Sequence, residues 1–148
     1  MAAKKAHHNH SLSQDALAKL GKYAPFVLRY LQSSETPQSA YDILDALRDE
    51  GVKAPMQIYR ALDKLAEAGL VHKLAKSNGW IACDGHSHNI QNPLLLLLSC
   101  QKCGTVEEAE DEHLASAFSA LSDKVKFTLQ TQSVEIDGLC GDCDRINK

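Results

Sequence analysis

Apolar positions in the first half of the chain recur at helical spacing. Leu17, Leu20, Ala24, Val27, Leu28 and Leu31 predict a helix from Gln14 to the break at Ser33-Ser34-Glu35-Thr36-Pro37. Ser39 then serves as N-cap to a second helix carrying Ala40, Ile43, Leu44 and Leu47, with Gly51 as its stop. A third helix follows Lys53-Ala54-Pro55 and runs to about Ala68. Its apolar face is Ile58, Ala61, Leu62 and Leu65, and Gly69 ends it. Two extended pieces come next, Leu70–Leu74 and Trp80–Cys83. Ser77-Asn78-Gly79 joins them, and Asn-Gly favours the left-handed backbone of a tight hairpin. Three compact helices and a hairpin describe a winged helix-turn-helix, with the third helix as reader and the hairpin as wing.

The pattern changes after the hairpin. Residues 83–93 are polar, rich in His, Asn and Gly, and read as a hinge. Leu94–Ser99 predicts a buried strand and Thr105–Glu108 a second. Asp111–Ser122 predicts a helix with Leu114, Ala117, Phe118 and Leu121 inward, and Val125–Leu129 and Ser133–Ile136 predict further strands. The apolar edge of such a module invites pairing with a second copy. The expected fold is α+β, an N-terminal winged helix-turn-helix followed by a small α/β dimerisation domain. The boundaries are residues 1–82 (1–14 a polar tail), a hinge at 83–93, and a second domain at 94–148.

Composition narrows the class. Among 148 residues, 44% are apolar and 24% charged, which excludes a fully disordered or collagen-like chain. The longest apolar run, Leu94 to Leu98, falls far short of the roughly 20 residues of a membrane span. Lys4 and Lys5 have no apolar stretch behind them, so the start does not read as a signal peptide. A cytoplasmic protein with no membrane partner is expected. The net charge of -3 hides an asymmetry: residues 1–82 hold 11 Lys+Arg against 8 Asp+Glu, and residues 83–148 hold 5 against 11. Any polyanionic partner belongs on the first module.

All five cysteines lie in the second part of the chain. Cys100-x-x-Cys103 and Cys140-x-x-Cys143 form two knuckles, and a two-residue gap lets both thiolates of a turn point at one ion. Four sulfurs make a tetrahedron that suits structural zinc, clipping the start of the second module to its end. Cys83 is left over. A hairpin centred on Asn78 brings His72 near it, His86 and His88 follow closely, and either Glu107 or Glu108 could supply a carboxylate. These would make a second, mixed site across the hinge, where a metal becomes a signal. His7, His8 and His10 read as part of a solvated tail, and His113 as exposed.

At this point the chain resembles the ferric uptake regulator superfamily, and within it the zinc uptake regulator branch. The matching pieces are Ser39–Asp42, Ile58–Asp63, Gly69–Lys73, Cys100–Gly104, Val106–Glu108 and Gly138–Cys143. Their order and approximate spacing carry the resemblance over residues 15–143. The resemblance implies a homodimeric, metal-responsive repressor that binds palindromic double-stranded DNA and holds two zinc ions per subunit. It implies Cys100, Cys103, Cys140 and Cys143 as structural zinc ligands. It implies His72, Cys83, a linker histidine and Glu108 as regulatory ligands, His88 being preferred to His86 because it leaves more chain to turn back. A thiolate in the second site points to zinc rather than iron sensing. Tyr41 and Arg60 resemble the family's DNA-contacting pair. The family's Thr-x-Gln-Arg element of the first helix is absent, with Tyr23-Ala24-Pro25-Phe26 in its place.

On the reader helix, Gln57, Arg60 and Lys64 fall on one face. Arg pairs with guanine and Gln with adenine in the major groove. Three alternatives stand beside this reading: an iron- or peroxide-responsive regulator of the same superfamily, a zinc-stapled protein-interaction adaptor, and a zinc enzyme. The enzyme is disfavoured because His-x-Glu and His-Glu-x-x-His are absent and a closed four-cysteine site has no position for water.

Overall fold

The structure is a computed structural model that describes residues 14–83, 94–129 and 132–146. The chain divides into two compact units, Met1–Gly85 and His86–Lys148. The histidines at 7, 8, 10, 86 and 88 lie outside the described residues.

The first unit opens with two helices where the apolar spacing predicts one. α1 spans Gln14–Lys19 and α2 spans Ala24–Gln32. Between them Gly21 takes φ 127, a conformation closed to side chains with a Cβ, and Pro25 sits in the first turn of α2, where its missing N–H costs nothing. The periodicity survives because Leu17 and Leu20 still pack against the core that α2 completes. α3 spans Ala40–Ala46 behind Ser39, whose hydroxyl accepts from the Asp42 N–H at 3.1 Å while its own N–H donates to Asp42 Oδ2 at 2.9 Å. A short 3-10 turn, Arg48–Glu50, ends on Gly51. α4 spans Pro55–Glu67 and buries Ile58, Ala61, Leu62 and Leu65. β1 (Val71–Lys73) and β2 (Trp80–Ala82) pair antiparallel, with His72 opposite Ile81. Gln38 exchanges two backbone hydrogen bonds with Trp80 along the other edge of β2. The core joins Val27, Leu31, Ile43, Ile58, Leu62, Leu65, Val71 and Trp80. Each fully buried aliphatic side chain stabilises the unit by about 2 kcal/mol.

The second unit is a three-stranded sheet in the order β4-β3-β5, formed by β3 (Leu94–Cys100), β4 (Val106–Ala109) and β5 (Gln132–Gly138). β3 runs antiparallel to β4 and parallel to β5. Leu94 to Leu97 point alternately to the two sides of the sheet and all four are buried, so the leucine run is a central strand. α5 (Glu112–Val125) starts at Asp111, whose carboxylate accepts from the Leu114 N–H at 2.8 Å.

Two expectations are corrected here. Leu114, Ala117, Phe118 and Leu121 do not point inward. Leu114, Phe118, Leu121 and Val125 are 43%, 36%, 56% and 61% exposed, and Ala117 is exposed too. Periodicity reports that a helix has an apolar face, not which surface covers it. Val125–Leu129 is also not a strand. α5 runs on to Val125, Lys126 turns left-handed at φ 57, and the Phe127 N–H returns to the Ser122 carbonyl, closing the helix end. A short helix, α6 (Gly141–Arg145), was not expected from sequence; five residues are too few for periodicity to show. Among the described residues, no helix is long and apolar enough to cross a membrane.

Candidate metal centre

The register of the sheet builds the four-cysteine group. β3 and β5 run parallel and in step, Leu94 opposite Gln132 and Cys100 opposite Gly138, so both strands end at one edge. The first knuckle turns off Cys100 and the second begins two residues beyond Gly138. The Gln101 N–H donates to the Gly138 carbonyl at 2.9 Å, tying the two turns together. The Gly104 N–H donates to the Cys100 carbonyl at 2.9 Å, with Gly104 at φ 76, which folds the first knuckle back into β4. The ligand atoms of Cys100, Cys103, Cys140 and Cys143 all lie within 4.8 Å of one another. Cys103 Sγ and Cys140 Sγ stand 3.8 Å apart. Zinc–sulfur bonds of about 2.3 Å give a tetrahedron with an edge of roughly 3.8 Å, so the spacing fits that ion.

Backbone donors prepare the sulfurs for charge. The Cys140 N–H lies 3.4 Å from Cys100 Sγ. N–H groups of Cys103, Cys140 and Lys102 hold the Cys100 thiol down, to about 6, and the Thr105 hydroxyl, 3.0 Å from Cys103 Sγ, lowers that thiol. Cys143 is pushed up to about 12, first by its contact with Cys140, then by burial and the other two cysteines. A second and third thiolate in so small a space repel the first, and a divalent cation at their centre removes that repulsion.

In the first unit, His72 and Cys83 meet on the wing. His72 faces Ile81 across the ribbon, and Cys83 is the next residue on the same side, its N–H donating to the Leu70 carbonyl at 2.9 Å. Diagonal neighbours of this kind are within side-chain reach. The imidazole nitrogen and the sulfur lie within 4.8 Å of each other, and both residues are half-buried. Imidazole nitrogen with thiolate sulfur is a donor set for zinc. In the second unit, Glu108 lies on β4, half-buried, while Glu107 is exposed. The expected linker histidine, His88 or its alternative His86, lies outside the described residues.

The reader helix departs from the expected assignment at one residue. Gln57 is half-buried, and its Oε1 accepts from the N–H groups of Lys53 at 2.8 Å and Ala54 at 3.1 Å. Its Nε2 donates to Tyr23 Oη at 3.4 Å, and that hydroxyl donates to the Gly51 carbonyl at 3.2 Å. Gln57 therefore caps the start of α4 rather than presenting its amide outward. Ala54 has no polar side chain, so the glutamine does the work an N-cap oxygen would share. Arg60 and Lys64 are exposed, and Tyr41 on α3 is 63% exposed. The chain carries two outward residues the spacing argument passed over: Met56, 59% exposed, and Tyr59, 37% exposed. Both are apolar by type, so only the angular position of the buried face reveals them.

The ferric uptake regulator family profile matches residues 19–137. The zinc uptake regulation protein of Escherichia coli (strain K12) is 36% identical over 118 residues, covering 79% of this chain and 68% of that protein. Among solved structures, a zinc uptake regulator complexed with zinc and DNA superposes with a TM-score of 0.77 at 31% identity, over 93% of this chain and 98% of that one. Holo XcZur superposes with a TM-score of 0.74 at 35% identity, over 85% and 86%. With its profile matched along most of its length and its four cysteines drawn to one point, the chain belongs to the ferric uptake regulator family.

Proposed function

We propose that this chain is a zinc-responsive transcriptional repressor that binds palindromic operator DNA as a homodimer and shuts off zinc-uptake genes when zinc is plentiful. The observation that carries the reading is the pairing of the His72 imidazole with the Cys83 sulfur on the wing, in a chain whose relatives include zinc uptake regulators. Imidazole and thiolate select zinc over the harder ions that carboxylates and carbonyls prefer.

Cys100, Cys103, Cys140 and Cys143 hold a structural zinc, which supplies a cross-link between the ends of β3 and β5. His72, Cys83, His88 and Glu108 hold a second, regulatory zinc, giving two per subunit. Occupancy of the second set licenses binding to the operator. Arg60 reads guanine, Tyr41 contacts the duplex beside it, and Lys64 fixes register on phosphate. Two reader helices on a symmetric dimer fit half-sites about one DNA turn apart. The role is regulation in the cytoplasm, with no chemistry performed on a substrate.

Metal content and a band-shift test the reading together. Purified wild type should carry two zinc ions per chain and Cys83→Ser one, with the variant still folded. Wild type should shift a palindromic duplex with zinc and fail to do so after chelation. Equal shifts with and without chelator would refute zinc control, and global unfolding of Cys83→Ser would make the wing site structural.

A further inference from the structure

The outward face of α4 is centred on Met56. At 3.6 residues per turn, the buried residues Ile58, Ala61, Leu62 and Leu65 define one side of the helix, and Met56, Arg60, Asp63 and Glu67 fall within roughly 30° of the opposite line. Gln57 and Lys64 lie on a flank. Lys64 Nζ accordingly sits close to the turn at Gly21, where a Cβ would lie 3.9 Å from it.

The face is divided along its length. Met56 and Arg60 occupy the first turn and a half, and Asp63 and Glu67 the rest. Two carboxylates on the outward line oppose approach to phosphates and to the acceptor-rich edges of guanine and adenine. Insertion into a major groove is therefore confined to the N-terminal part of α4, the part that reaches base edges in helix-turn-helix proteins. Gln57 fastens that turn to Lys53, Ala54 and Tyr23, so the backbone that carries Met56 is fixed before any duplex arrives.

A 59% exposed methionine at this point offers a flexible thioether and methyl with no hydrogen bond to give. The one apolar group on the major-groove edge of a base pair is the thymine C5-methyl. We propose that Met56 is a specificity-determining residue that packs on one thymine methyl in each half-site, next to the guanine taken by Arg60. The proposal rests on the DNA-reading function argued above.

The test uses the full-length, zinc-loaded protein. A random duplex pool is selected on wild type, and the winning duplex is remade with deoxyuridine at one thymine position of each half-site at a time, which removes only the methyl. Losing one buried methyl contact costs about fourfold in affinity per half-site. Wild type should lose about that much per half-site, roughly sixteenfold over the palindrome, at one thymine position and little at the others. Met56→Ala should bind the parent duplex more weakly by a similar factor and be indifferent to deoxyuridine at that position. Unchanged Trp80 emission would show the variant's reading unit intact. If every deoxyuridine duplex costs both proteins the same, or Met56→Ala selects the same palindrome with equal strength, the assignment is overturned while DNA reading stands. If wild type enriches no palindrome, both fall.

Discussion

Gln57 and Arg60 are three residues apart on one helix and have opposite work. The Gln57 amide is consumed by the backbone N–H groups of Lys53 and Ala54 and by the Tyr23 hydroxyl, whereas Arg60 is exposed. Gln57→Ala should lower the stability of the first unit by about 1 kcal/mol, the usual loss for a helix-start cap. Arg60→Ala should leave thermal unfolding unchanged and remove specific duplex binding. The two variants are compared by Trp80-detected melting beside a band-shift. A normal melting curve for Gln57→Ala would show that water replaces the amide at no cost. Gly79 sets a stricter case. A Cβ there would lie 2.7 Å from Pro37 Cβ and 3.3 Å from the Pro37 carbonyl carbon, and Pro37 cannot swing aside. Gly79→Ala should cost about 1–3 kcal/mol, the range for forced overpacking. Equilibrium denaturation followed at Trp80 would read it, and a loss under a few tenths of a kcal/mol would mean the wing simply shifts.

α3 is seven residues long, too short to be stable without its start. Ser39→Ala removes one half of a reciprocal cap and should cost about 1 kcal/mol. Asp42 supplies the other half. Its carboxyl is held below the ordinary 3.8 by the Ser39 hydroxyl first and the Ser39 N–H second. A group with a lowered folded value stabilises fully above its unfolded value and stops doing so as pH falls through the folded one. The stability gap between wild type and Ser39→Ala should therefore be constant above pH 3.8 and narrow below it, down to the part carried by the hydroxyl's bond from the Asp42 N–H. A gap that stays at its full size in acid, measured by urea denaturation across that range, would mean the Asp42 carboxylate takes no part. Elements such as α3 and α4 were legible because Ser39 and Pro55 mark starts and Gly51 and Gly69 mark ends. α5 was legible as a helix but not in its facing, since Leu114 and Phe118 look the same whether their own sheet or another chain covers them. The Cys-x-x-Cys spacing announced the four-sulfur group, while the parallel β3–β5 register that closes it has no local signal. The cap made by the Gln57 amide had no sequence signal, because a helix face drawn from three polar residues leaves out where the buried residues centre.

For the whole molecule, the two units offer separate reporters. Trp80 is the single tryptophan and lies in the core of the first unit, whose helices and wing carry no cysteine before Cys83. Four cysteines gather at one edge of the second unit's three-stranded sheet, and a structural zinc of the kind proposed for them contributes on the order of 10 kcal/mol to such a fold. Exhaustive chelation should collapse amide protection along β3 and β5 and leave Trp80 emission close to native. Loss of both together would show one cooperative molecule. The same unit leaves Leu114, Phe118, Leu121 and Val125 exposed along α5, with Ile136 on β5 45% exposed. Four large apolar groups at helical spacing form a patch that a stable monomer seldom leaves to water. The proposed homodimer would bury it, with one copy of α5 against the other if the two-fold axis passes beside this helix. Phe118→Glu with Leu121→Glu places two carboxylates per chain at that contact. Light scattering should then give the one-chain mass of 16.2 kDa, with the zinc group and Trp80 environment intact. Arg60 and Met56 are untouched in this variant, yet palindrome binding should fail, because a lone reader forfeits the second half-site's contribution. A charged variant that stays dimeric would place the two-fold contact elsewhere, and a monomer that still bound the full palindrome with wild-type affinity would remove the need for a dimer altogether.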